Sequence, residues 1–272
     1  MTAPRVIVLA GLGINCERET AVALRLAGAD PDIVHISRIL CGDVSIPGAE
    51  AVVFPGGFSF GDELGAGQAL ANRIRHRQTP SGETLLAELR TLLGRGGRIL
   101  GICNGFQVLV KLGLLPNFAG DYVQEVTLTE NRSGRYEDRW CRLHASPHGP
   151  APFASLGLLE LPVRHREGRL VFRDDAVRHE VAERGLNFLT YVDASGTPTQ
   201  EYPANPNGAD LACAGLTDTT GQVIGLMPHG EAYVSPYTHY DWPRRRREGT
   251  DTAREPDGLR LFRAFVRSMT ER

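Results

Sequence analysis

The sequence predicts an α/β fold: an open, mostly parallel central sheet with helices on both faces, plus extra β-strands. Two observations carry this. Short β-branched runs alternate with helical stretches as far as Pro116, which implies parallel strands joined by crossover helices. Beyond Pro116, strand-like runs follow one another with few helices between them, so further strands extend the sheet.

Each element has a local reason. Val6-Ile7-Val8-Leu9 is apolar throughout, as a strand buried on both faces must be, and it ends at Gly11. A helix runs from Glu17 to Ala27 and stops at Gly28. Strands follow at Ile33–Ile36 and Ala51–Phe54. The Ala- and Leu-rich stretch from Asp62 to His76 reads as a helix. Leu85, Leu86, Leu89, Leu92 and Leu93 share one helical face, and Gly94 closes it. Arg98–Ile102 is a strand that runs directly into a helix over Phe106–Leu112, closed by Gly113 and Pro116. In the second half, strands are expected at Val123–Leu128, Arg139–His144, Leu158–Val163, Phe188–Val192 and Val223–Met227. Phe262, Phe265, Val266 and Met269 make the stripe of a C-terminal helix. Between the last strand and that helix, Ser235–Asp257 reads as an arginine-rich surface excursion, with Arg244 to Arg247 consecutive. No repeat or linker stands out, so residues 1–272 are expected to form one domain.

Composition removes several classes of function. The 272 residues carry a net charge of −2, which argues against a general nucleic-acid binder. No run of eighteen apolar residues exists to span a membrane, and no secretion signal is visible at the start. Lys111 is the only lysine among 30 cationic residues, and no Ser or Thr follows it, so no Walker-A phosphate loop is present. The closest pair of the five cysteines is 25 positions apart, which excludes C-x-x-C metal or redox motifs. Reduced thiols in a cytoplasmic protein are expected, with no metal site and no cofactor in this chain.

Three turns are candidates for chemistry. Gly11-Leu12-Gly13-Ile14-Asn15-Cys16 sits between strand and helix, as a dinucleotide fingerprint does, but Cys16 replaces the third glycine, so it reads as a plain glycine turn. Gly57-Phe58-Ser59-Phe60-Gly61 matches the G-x-S-x-G esterase elbow, although Pro55 and Gly56 separate it from its strand. Its glycine backbone also suits an oxyanion site. Gly101-Ile102-Cys103-Asn104-Gly105 is the same elbow with cysteine at its centre, directly between strand and helix. Cys16, Cys141 and Cys213 read as structural. A nucleophilic cysteine needs a base and an orienting group. In Met227-Pro228-His229-Gly230-Glu231, residues two apart in extended chain share a side, which places Glu231 beside the His229 ring.

These residues resemble a known family. Gly101-Ile102-Cys103-Asn104-Gly105-Phe106-Gln107 is similar to the nucleophile motif of class I (triad-type) glutamine amidotransferases. Pro55-Gly56-Gly57-Phe58-Ser59-Phe60-Gly61-Asp62 is similar to their oxyanion loop, and Pro228-His229-x-Glu231 to their His–Glu pair. The match narrows to the PurQ-type glutaminase subunits of phosphoribosylformylglycinamidine synthase. It does so through Gly13-x-Asn15-Cys16-Glu17-Arg18, Asn131-Arg132-Ser133-Gly134-Arg135-Tyr136-Glu137, His165-Arg166-Glu167-Gly168-Arg169 and, most specifically, Tyr202-Pro203-Ala204-Asn205-Pro206-Asn207-Gly208.

The resemblance implies a flavodoxin-like, amidotransferase-type sheet and a reaction. Cys103 would attack the side-chain amide of L-glutamine. His229, oriented by Glu231, would move the proton, and the backbone N–H groups of Gly57 and Asn104 would hold the oxyanion. Gln107, Arg135 and Tyr136 would help bind glutamine. Ammonia would pass to a separate synthetase subunit carrying ATP and magnesium, with a small third subunit joining the complex in purine synthesis. Two positions depart from the family pattern: Gly230 stands where proline is common, and Arg166 where glycine is usual. The competing readings are a serine esterase using Ser59 and a catalytically silent regulatory homologue.

Overall fold

The computed structural model describes residues 2–61, 64–249 and 254–271. Asp62 and Glu63, at the start expected for the third helix, and residues 250–253 of the arginine-rich segment lie outside the described residues, as do Met1 and Arg272. The first half runs β1 (Arg5–Ala10), α1 (Glu17–Leu26), β2 (Asp30–His35), α2 (Ile36–Leu40), β3 (Ala51–Phe54), α3 (Gln68–His76), α4 (Leu85–Gly94), β4 (Arg98–Ile102) and α5 (Asn104–Lys111). The second half runs β5 (Val126–Glu130), β6 (Glu137–Ala145), β7 (Leu158–His165), β8 (Glu167–Phe172), α6 (Asp175–Glu183) and β9 (Leu189–Tyr191). It ends with β10 (Cys213–Thr217), β11 (Val223–Leu226), α7 (Trp242–Glu248) and α8 (Asp257–Thr270).

One sheet has the strand order β2-β1-β3-β4-β11-β10-β9-β6-β7. The pairings from β2 through β11 are parallel. From β11 onward, β10, β9, β6 and β7 continue it antiparallel. Val6 to Leu9 are fully buried, as the unbroken apolar run requires. The chain moves one way across the sheet from β1 to β2 and the other way from β3 to β4. Right-handed crossovers therefore put α1 and the α3–α4 pair on opposite faces. Strand order reverses between β1 and β3, so the crevice beyond their carboxyl ends is the natural place for a ligand in such a sheet.

Several boundaries differ from the sequence reading. Ile36 opens α2 instead of ending a strand, because the His35 ring accepts a hydrogen bond from Ser37 N and caps a new helix. The strand expected at Val123–Leu128 lies at Val126–Glu130 and pairs with β8, outside the main sheet. Neither β8 nor α6 was legible: charges interrupt β8, and α6 buries only Val177 and Val181. The segment read as a surface excursion contains α7, none of whose residues is buried. Ion pairs hold it: Arg245 reaches Glu160 on β7 at 2.6 Å, and His239 Nε2 lies 3.3 Å from the same carboxylate.

The elbow after β4 depends on two glycines. A Cβ on Gly101 would lie 2.6 Å from Leu109 Cδ1, and one on Gly105 would collide with the Phe54 carbonyl on β3. This close approach lets α5 start directly beneath the sheet end, with every residue from Asn104 to Val110 buried. We expect Gly105→Ala to cost about 3 kcal/mol, because backbone of a packed interior has to move. Gly94→Ala, at a helix end with open space around it, should be neutral or stabilising by about 0.5 kcal/mol. Urea unfolding of the two variants checks the contrast.

Candidate active site

Three loops meet beyond the carboxyl ends of β1, β3 and β4. The β1 loop and the β3 loop are tied by an isolated antiparallel bridge between Ile14 and Gly57. Its two ladder bonds run from Asn15 N to Gly56 O at 3.3 Å and from Phe58 N to Gly13 O at 2.6 Å. In such a bridge the Gly57 N–H is not a ladder donor and faces away from the partner strand. Glycine is required at Gly57, because a Cβ would strike the Gly13 carbonyl. The β3 loop is tied to the elbow in turn: Ser59 N donates to Asn104 Oδ1 at 3.1 Å.

Cys103 has φ +51° and ψ −105°, a strained setting for a residue with a side chain. It ends the run of β4 and precedes the first residue of α5, so the Asn104 N–H is one of the donors that a helix start leaves without an intrahelical partner. The Cys103 thiol is nearly buried and lies 3.7 Å from the Arg164 carbonyl at the end of β7.

His229 follows β11, and its backbone N–H donates to the Pro162 carbonyl at 2.8 Å. Its Nδ1 lies 2.5 Å from Glu231 Oε1, both residues being buried. This contact fixes Nδ1–H as the donor side and leaves Nε2 free. Burial works against a charge on His229, yet the Glu231 carboxylate and the nearby Cys103 and Cys16 thiols outweigh it, and the ring's proton affinity is raised well above that of ordinary histidine. Nε2 itself has no hydrogen bond of acceptable geometry. The thiols are therefore close enough to act electrostatically without forming an aligned bond.

The other residues expected at the site fall into two groups. Tyr136 is half exposed, and its hydroxyl is raised by burial and by proximity to Cys103, which places it at the mouth of the site. Arg135 is exposed, and its carbonyl accepts from Asn131 Nδ2 at 2.8 Å. Gln107 is buried with both ends of its amide in use: Nε2 donates to the Glu167 carbonyl at 2.5 Å, and Oε1 accepts from Asn104 Nδ2 at 3.0 Å. In this state it braces the elbow against the β7–β8 turn. Ser59 is fully buried and its hydroxyl has no partner, so no imidazole stands ready to activate it. Arg166 points outward and pairs with Glu130 at 3.1 Å.

Two residues at the site were not legible beforehand. Cys16, read as structural, is half-buried beside His229; a Cβ on Gly56 would lie 2.7 Å from His229 Cε1 and 3.2 Å from Cys16 Sγ. Burial raises the Cys16 thiol, and the neighbouring His229 partly offsets this. By contrast, Cys141 and Cys213 are buried away from the site, and burial pushes each up to about 12. His165 is the second. Its Nδ1 lies 3.1 Å from Asn131 Oδ1, Asn131 Nδ2 donates to the His165 carbonyl at 2.8 Å, and the ring's Nε2 is buried without a partner. The only signal for either was membership of a motif segment.

Comparison with known proteins identifies the family. Residues 3–267 match the family model described as a CobB/CobQ-like glutamine amidotransferase domain. A protein of Dehalococcoides mccartyi named phosphoribosylformylglycinamidine synthase subunit PurQ is 38% identical over 268 residues, covering 98% of each chain. The protein of the same name from Methanococcus maripaludis is 41% identical over 230 residues, covering 84% of this chain and 82% of that one. A solved structure described as PurLQS from Thermotoga maritima superposes with a TM-score of 0.64 at 29% identity, covering 91% of this chain and 97% of its own.

His165 provides a pH test. Burial first, and the neighbouring His229 second, lower its pKa to about 3. Between that value and the ordinary 6.5 the unfolded chain binds the extra proton, so stability falls on acidification across this window. His229 acts with opposite sign: its contribution is full below the ordinary value and is lost as pH rises through the raised one. Going from pH 6.5 to about 4 should cost about 3 kcal/mol through His165. Chemical denaturation at both pH values should show a correspondingly smaller loss in His165→Gln than in the wild type.

Proposed function

The chain belongs to the CobB/CobQ-like glutamine amidotransferase family, and we propose that it is the glutaminase subunit of phosphoribosylformylglycinamidine synthase, releasing ammonia from L-glutamine for a synthetase subunit in purine biosynthesis. The observation that carries this is the strained Cys103 elbow facing a buried His229 whose Nδ1 is held by Glu231 at 2.5 Å.

In this reading Cys103 Sγ bonds to the amide carbon of glutamine, and the thiol proton passes to His229 Nε2. The oxyanion forms opposite the free N–H groups of Gly57 and Asn104. One such donor is worth about 3 kcal/mol of barrier. Collapse breaks the C–N bond, His229 returns its proton to the nitrogen, and ammonia departs. Water, deprotonated by the same imidazole, cleaves the thioester to glutamate and restores Cys103. Glu231 keeps the ring oriented and favours its charged form at each transfer. Tyr136 and Arg135, on the loop across the mouth, are the side chains best placed to meet the amino-acid end of glutamine.

The chain itself holds no ATP-binding loop of the Walker type, and ATP and magnesium are assigned to the synthetase. A small third subunit is part of the proposed assembly. Among the described residues no helix is long and apolar enough to cross a membrane. All five cysteines are free, which supports a cytoplasmic location.

The test uses a glutamine-analogue electrophile such as diazo-oxonorleucine, with adducts mapped by mass spectrometry. Label should appear on Cys103 and persist in Ser59→Ala. Glutaminase activity of the complex should fall on the order of 10^4-fold in Cys103→Ala. Label on Ser59, or undiminished turnover without the Cys103 thiol, would overturn the proposal.

A further inference from the structure

We propose that Cys16, His229 and Glu231 form a binding site for one thiophilic divalent cation of the zinc class, and that its occupancy switches the glutaminase off. One ligand atom from each of the three residues lies within 4.8 Å of the others. The ion would take His229 on the Nδ1 edge that faces Glu231, where Glu231 Oε2 is buried without a partner. The absence of a side chain on Gly56 keeps the space between Cys16 and His229 clear, since a Cβ there would crowd both.

The donor set of thiolate, imidazole and carboxylate is one that zinc takes, with a fourth position left for water. Around a tetrahedral ion, ligand atoms about 2.0–2.3 Å from the metal sit roughly 3.5 Å apart. The widest separation must therefore close by about 1 Å, while the 2.5 Å contact between Nδ1 and Glu231 opens by about the same amount. Cys16 is the least buried of the three and opens α1, so it is the ligand free to move. Binding displaces the Cys16 thiol proton and any proton on the ligating imidazole nitrogen. The metal then replaces the Nδ1 proton and takes the carboxylate that orients the ring, so His229 loses the contact that raises its proton affinity and proton transfer to and from Cys103 fails. Inhibition follows from shared ligands and needs no conformational change elsewhere.

Only the inhibition clause rests on the proposed function. The experiment titrates the full chain with zinc in a chelator buffer. It reads bound metal per chain, the thiolate-to-metal charge-transfer band after cobalt substitution, and residual glutaminase activity of the synthetase complex. Wild type should bind one ion and show the band. Cys16→Ala should raise the half-saturating zinc concentration by about tenfold or more and weaken the band, while Cys41→Ala, on the exposed surface, should match wild type. Equal zinc midpoints in wild type and Cys16→Ala, or a cobalt complex without a thiolate band, would overturn the site. Metal content and the band are read without turnover. A chain that binds zinc through Cys16 yet never hydrolyses glutamine would defeat the glutaminase reading and leave the metal site standing.

Discussion

The contact between Gly105 and the Phe54 carbonyl is the constraint on which the site depends. It sets α5 directly against the end of β3, with no room for a side chain between them. Once the helix begins there, Cys103 must take positive φ, and its thiol projects beyond the sheet. The same placement carries the Asn104 side chain to Ser59 N, which fixes the β3 loop. That loop is fixed from its other side by the Ile14–Gly57 bridge. Cys103, Asn104 and the Gly57 loop are thus positioned together, at two points where the backbone tolerates no Cβ, Gly105 and Gly57.

The strands that follow β4 in the chain supply what the first four lack. β11 delivers His229, whose backbone N–H donates to the Pro162 carbonyl of β7, and the Arg164 carbonyl of β7 accepts from the Cys103 thiol. The turn from β7 into β8 then braces Gln107 and seats His165. Two buried histidines end up near one another with opposite tendencies. His229 has a carboxylate against Nδ1 and favours its charged form; His165 has a neutral amide there and stays uncharged. The difference lies in the partner, Glu231 against Asn131, because both rings are equally deprived of water.

Much of this was legible from the chain alone, for stated reasons. The parallel strands announce themselves because burial on both faces demands unbroken apolar runs. The Cys103 elbow was legible because a strand-to-helix turn needs glycines at fixed offsets, and the contact of His229 with Glu231 because the two are two residues apart. Elements held by charge were not. α7 has no apolar stripe and is secured by Arg245 on Glu160, a pairing across 85 residues that no local pattern encodes. Cys16 illustrates the same limit, since its sequence neighbourhood says glycine turn and only the fold brings it to His229. Gln107 shows the converse: its motif position was visible, but its present partners, the Glu167 carbonyl and Asn104, depend on how β8 folds back.

A buried base that strongly favours its proton has a consequence for when the site works. A charged His229 beside Cys103 cannot accept the thiol proton until one already on Nε2 leaves, so the resting balance of the thiol–imidazole pair decides readiness. That balance is sensitive to the loops that close over it, because Coulomb energies rise as water is excluded. The loops after β1 and β3 carry the exposed apolar side chains of Leu12, Phe58 and Leu64. A surface laid over those side chains would exclude water and strengthen the Glu231–His229 interaction beneath it.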